Sequence, residues 1–231
     1  LGALSDALRD IAASDARVVV LAARGRAFCA GHNLREMQAM RQAEDGGAAA
    51  YGALFDRCSA VMAQIRTLPQ PVIARVHGLA TAAGCQLVAT CDMAIAADDV
   101  EFGVNGVDIG LFCSTPMVAL TRNVGRKRAF ELLASGRFMV GQEAVEAGLV
   151  NRVVAPGALD EAVDHSARVI AAKLPAAMRI GKGIFHAQAE RPVEEAYALA
   201  RDAMVANLAD AGTAEGIQAF LEKRPPGWTA G

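Results

Sequence analysis

Apolar residues recur at three- and four-residue spacing from the start of the chain, at Leu1, Leu4, Leu8 and Ile11, which predicts an amphipathic helix. A continuous apolar run over 18–22 follows, ended by Arg24-Gly25. Such a run reads as a strand buried on both faces, in a parallel sheet covered by helices. Residues 71–76, ending before Gly78, form a second run of this kind, and 93–96 a third. Helical patterns near 33–41 and 50–67, separated by Gly46-Gly47, lie between the first two strands, and a short helix over 83–91 lies between the second and third. Strand, helix, strand, helix, strand predicts an α/β fold.

Beyond about residue 114 the pattern is almost entirely helical. A helix over 126–135 is closed by Gly136, and one over 142–147 by Gly148. A short strand over 149–154 precedes Pro156. Helices are then predicted near 158–174, 176–189, 193–209 and 213–223, and Pro225-Pro226-Gly227 cannot continue the last. This helical end is expected to pack on its own subunit or on a neighbour.

Composition narrows the function classes. With 53% hydrophobic and 21% charged residues, the 231-residue chain has the make-up of a globular core. Lys+Arg 23 against Asp+Glu 25 gives a net charge of −2, which argues against a nucleic-acid binder driven by bulk charge. The most apolar long stretch, 77–97, contains Gln86 and Asp92 and makes a poor membrane span. Five cysteines, at 29, 58, 85, 91 and 113, show no metal-ligand spacing, so no metal site is expected. Buried free thiols in a reducing cytosol, and so a cytoplasmic location, are the expectation.

Two junctions where a strand gives way to a helix carry the candidate chemistry: Phe28-Cys29-Ala30-Gly31-His32-Asn33, and 77–85 with Gly78, Ala80, Ala82, Ala83 and Gly84. Small residues at such junctions let backbone N–H groups point into a crevice at the strand ends. Two N–H groups from two such turns can share one oxygen, and an oxyanion hole of this kind loses about 3 kcal/mol of transition-state stabilisation with each donor removed. The alternative is that the small residues only permit tight helix–sheet packing. Neither turn is the GxGxxG of a dinucleotide site.

Beyond these turns the chain resembles the crotonase superfamily, the enoyl-CoA hydratases and isomerases. The resemblance is carried by 27–37, by Pro71-Val72-Ile73-Ala74, and by Gly84-Cys85-Gln86-Leu87 with Cys91-Asp92. It continues through Gly141-Gln142-Glu143-Ala144 to Gly148-Leu149-Val150, and through 215–224. It implies a ββα spiral over 1–155, a helical trimerisation region over 156–231, homotrimers or homohexamers, and acyl-CoA thioesters as substrates. Coenzyme A then arrives as part of the substrate, with no tightly bound cofactor. By position, His32 and Ala83 would supply the two oxyanion amides, and Ala30, Gly31 and Gly84 in the same turns would bind the coenzyme A thioester. Phe220 and Lys223 match positions that pack on the adenine of a neighbouring subunit's CoA. Read on residue type alone, these two are a core aromatic and a solvated charge. A strand pair that normally precedes the first helix in that family finds no counterpart here.

The chain also departs from that pattern. The two glutamates with which the hydratases hold and activate water fall at Gln86 and Gly106, and a further acidic position of the family falls at Ser114. Glutamine can hold water but has no useful basicity, and glycine at 106 is expected to leave only space. If 106–108 is extended, the carboxylate of Asp108 leans toward that gap and becomes a candidate base; otherwise it makes a turn or surface hydrogen bond. The expectation is therefore a protein that stabilises a thioester enolate without the usual acid–base pair. The alternatives are an acyl-CoA binder with little turnover, or a decarboxylase of malonyl-type thioesters.

Overall fold

The computed structural model describes residues 1–229. Helix α1 (Gly2–Ala12) leads to β1 (Val19–Ala22), then α2 (Leu34–Met40) and α3 (Ala48–Thr67). Strands β2 (Val72–Val76) and β3 (Leu79–Thr81) run into α4 (Ala83–Thr90), and β4 (Met93–Ala97) and β5 (Glu101–Gly103) into a 3-10 turn over Asn105–Ile109. Helices α5 (Ser114–Leu120) and α6 (Arg126–Ser135), strand β6 (Met139–Val140), α7 (Gly141–Glu146) and β7 (Arg152–Val154) follow. The remainder is helical: α8 (Leu159–Ala171), α9 (Pro175–Gln188), α10 (Val193–Leu208) and α11 (Ala211–Leu221).

One sheet has the order β1-β2-β4-β7, all parallel, and a second has the order β3-β5-β6. The two central turns of chain, β2-β3-α4 and β4-β5 followed by α5, each give one strand to each sheet and then a helix, so the backbone winds as a spiral of ββα units. Central strands β2 and β4 are almost wholly buried, as their unbroken apolar runs require. Edge strand β1 alternates partly buried and exposed residues. Helix α8 covers β1, β2 and β4, while α1 packs on α3.

The strands and helices read from periodicity are present, and the short elements are the ones that periodicity does not reveal. Strands β3, β5 and β6 are three, three and two residues long, too short for an alternation to register. The strand expected over 149–154 begins only at Arg152, because the amides of Leu149 and Val150 instead cap α7 at the Ala144 carbonyl, at 3.0 and 3.3 Å. The extended 106–108 expected around Asp108 is part of the 3-10 turn. With three residues per turn, positions two apart do not share a face there.

A buried ionic knot ties α9, the second helix of the C-terminal run, to the sheet. Asp92, which directly follows α4 and Cys91, accepts a hydrogen bond from the Val72 amide at 2.7 Å and pairs with Lys182 of α9 at 2.7 Å. His186, one helical turn on, shares a hydrogen bond with the other carboxylate oxygen at 3.0 Å. The Lys182 ammonium also donates to the carbonyls of Ile65 and Gln70, at 2.8 and 2.9 Å. Burial pulls its pKa below the ordinary lysine value, and Asp92 opposes that shift. Removing one partner of such a pair strands the other charge. Lys182→Met is thus expected to lower stability by about 3–5 kcal/mol, measured by urea unfolding.

Candidate functional site

The two glycine-bearing turns are stitched together by backbone pairing. Cys29 forms a parallel bridge with Ala80: its amide donates to the Leu79 carbonyl at 3.1 Å, and its carbonyl accepts from the Thr81 amide at 3.0 Å. The Phe28 amide donates to the His77 carbonyl at 3.1 Å, just upstream. The segment before His32 therefore behaves as a further strand beside β3. Helix α4 starts directly under it, and a Cβ at Gly84 would run into the Cys29 carbonyl oxygen. Only glycine allows this approach.

Between the bridge and α4 the chain turns sharply at Ala82, which adopts φ 52° and ψ −118°. A side-chain-bearing residue held in so sparsely populated a region carries about 1–3 kcal/mol of strain. The Ala82 amide is fixed by the Gly103 carbonyl at 2.9 Å. The Thr81 hydroxyl donates to Asn105 Oδ1 at 2.5 Å and contacts the Gly103 carbonyl at 3.2 Å. The bend leaves the Ala83 amide at the first position of α4, where no intrahelical acceptor exists. Gly31, at φ +91°, faces it across the gap: a Cβ there would lie 3.6 Å from the Ala83 nitrogen and 3.1 Å from the Ala82 Cβ. Among the described residues neither the Ala83 nor the His32 amide makes a hydrogen bond within the protein. Two donors on adjoining turns are thus left unengaged, with Gly31 lying beside the Ala83 amide.

The His32 side chain packs edge-on against Phe55, with ring centroids 5.8 Å apart. Burial pushes the imidazole pKa down, which favours the neutral ring. Gln86 follows Ala83 by three residues on the same face of α4 and is 5% exposed. The Cys58 thiol contacts its Oε1 at 4.0 Å. Burial raises the Cys58 pKa, so the thiol stays protonated and able to donate.

Two expectations are corrected here. The Asp108 carboxylate does not lean toward Gly106. It lies against Gly136 at the end of α6, where a Cβ on the glycine would strike its oxygens. Nor does Gly106 leave space: a Cβ there would meet the Leu111 carbonyl and come within 2.8 Å of the Cys113 sulfur. The segment over 109–113 folds across the glycine and is pinned by the Leu111 amide donating to the Gly106 carbonyl at 2.9 Å. Phe220 and Lys223 belong to another part of the fold. Helix α11 packs on α10 and on the closing turn Gly227–Thr229, and Phe220 is 81% exposed.

A family model described as enoyl-CoA hydratase/isomerase matches residues 2–231. The human protein named enoyl-CoA hydratase domain-containing protein 3, mitochondrial, is 45% identical over 225 residues, which cover 97% of this chain and 73% of the relative. A putative enoyl-CoA hydratase of Thermus thermophilus is 35% identical over 96% of this chain and 87% of the relative. Among solved structures, an enoyl-CoA hydratase of Mycobacterium smegmatis is 53% identical with a TM-score of 0.94, covering 98% of this chain and 87% of that one. The crystal structure of the human protein superposes with a TM-score of 0.90 at 44% identity, over 98% of this chain and 89% of that one. Relatives from human, rat and mouse carry the word mitochondrial in their names, which overturns the cytoplasmic expectation. Free thiols report reducing surroundings and do not tell which compartment supplies them.

The strained bend at Ala82 makes a direct prediction. Ala82→Gly should stabilise the fold by about 1 kcal/mol, read as a raised midpoint in urea unfolding.

Proposed function

The chain belongs to the enoyl-CoA hydratase/isomerase family, and from that premise we propose that it holds an acyl-CoA thioester with the carbonyl oxygen between the amides of His32 and Ala83. The observation that carries this reading is the pair of unengaged donors on two turns locked together through Cys29. Donors fixed before the reaction stabilise a developing enolate without reorganising, and this preorganisation is the largest single source of rate enhancement in sites of this type. Coenzyme A enters as part of the substrate. Exposed apolar side chains on α10 and α11, among them Tyr197, Met204, Val205 and Phe220, support assembly as a homotrimer or a pair of trimers. In that assembly Phe220 and Lys223 would meet a neighbour's CoA.

The chemistry we assign is enolate formation without a carboxylate base. Gln86 offers a carboxamide that positions water or substrate and takes no proton at neutral pH. The 109–113 segment fills the side-chain space at Gly106, and Asp108 is turned to α6. Decarboxylation of a malonyl-type thioester meets these limits. The electrons of the breaking C–C bond move into the carbonyl, CO2 leaves, and the enolate held by the two amides takes a proton from water at its α-carbon. The same lack of a base favours a second reading, in which the protein binds thioesters without turning them over.

Calorimetry tests the binding claim. Butyryl-CoA should bind about tenfold more tightly than the thioether analogue in which a methylene replaces the carbonyl; equal affinities would overturn the proposal. Hydration of crotonyl-CoA should run at least about 10²-fold slower than in a two-carboxylate relative, and Asp108→Ala should leave it unchanged. Malonyl-CoA in heavy water separates the two readings: acetyl-CoA with deuterium at the α-carbon shows the enolate, and unchanged malonyl-CoA shows binding alone.

A further inference from the structure

A cavity of about 590 Å³ opens between α3, α4, α5 and α9, within the size range of small-molecule sites. Gln86 forms part of its wall, and the wall continues along α4 through Ala89 and Thr90. Gln86 and Thr90 are one helical turn apart, a run of about 6 Å. Ala83 also packs with Cys58 and Met62 of α3, and Met62 lines the cavity. One face of α4 thus leads from the free Ala83 amide, past Gln86, into this space. Much of the remaining lining is apolar, including Ala63, Val118, Ala119 and Phe185.

The charges around it are unevenly matched. On one side Lys182 satisfies Asp92, which also shares its hydrogen bond with His186. On the other, two guanidiniums converge on one carboxylate oxygen: Arg66 lies 2.9 Å from Glu190 Oε1 and Arg122 lies 3.6 Å from the same atom. These three side chains are between a third and a half exposed. Two positive charges against one negative leave a net cation at the rim of a cavity that is otherwise lined largely by apolar groups.

Resting on the thioester reading above, we propose that this cavity receives the far part of the acyl chain and that Arg66 and Arg122 select chains ending in a carboxylate. The chain's methylenes lie against Met62, Ala89, Val118 and Phe185, and its terminal anion takes the charge that Glu190 leaves unmatched. The substrate class is then the CoA thioester of a dicarboxylic acid.

Octanoyl-CoA and suberoyl-CoA, equal in chain length and different at the far end, are the probes. By calorimetry, suberoyl-CoA should bind roughly three- to tenfold more tightly, and the preference should shrink as salt is raised. In the Arg66→Gln/Arg122→Gln double variant the preference should vanish while octanoyl-CoA affinity stays the same, which also shows that the variant folds. Val118→Trp, which fills the cavity, should weaken both long thioesters and spare acetyl-CoA. Equal binding of the two probes by the unaltered protein, or a preference that survives the double variant, overturns the proposal and leaves the thioester reading standing. Failure to bind acetyl-CoA and both long thioesters overturns both.

Discussion

The backbone pairing of Cys29 with β3 is the constraint on which the site depends. Its two hydrogen bonds, to Leu79 and from Thr81, bring together segments about fifty residues apart in sequence and set both turns at the ends of neighbouring strands. Everything close to that bridge must be small. Gly84 lies against the Cys29 carbonyl, and Gly31 faces the Ala83 amide. The bend at Ala82 is strained and is held by Gly103, so the surrounding sheet stabilises a conformation that the residue itself disfavours. The result is a pair of backbone donors whose direction is set by the fold and not by any side chain.

What surrounds those donors limits the chemistry. A carboxamide stands at Gln86, next to a thiol that burial keeps protonated. At Gly106 the backbone is so closely covered by Leu111 and Cys113 that a larger side chain requires the 109–113 segment to move. Replacing residue 106 alone is therefore not equivalent to restoring an acid in that position. The site we propose pairs fixed backbone donors with groups of little basicity, and it suits reactions whose driving electrons come from the substrate.

The sequence conveyed the parallel sheet, the helical C-terminal run and the two small-residue turns, because long apolar runs and 3.6-residue periodicities are properties of contiguous chain. It could not convey features that depend on distant partners. The crowding of Gly106 comes from Leu111 and Cys113 folding back, whereas glycine by itself reads as room. An extended 106–108 would turn the Asp108 carboxylate toward that room, whereas the 3-10 turn sends it to α6. Ala82 carries no sequence signal of its strain. The Arg66–Glu190 pair joins residues 124 positions apart, beyond the reach of any local pattern. The knot of Asp92 and Lys182 was legible only as two charges within otherwise apolar or helical stretches.

In the proposed complex two main-chain amides polarise one thioester carbonyl. Isotope-edited infrared spectroscopy of an acyl-CoA labelled with 13C at that carbon observes the bond itself in the bound state. Polarisation by both amides should put the carbonyl stretch at lower wavenumber in the complex than in free solution. A bound thioester whose stretch stays at or above its solution value would contradict it.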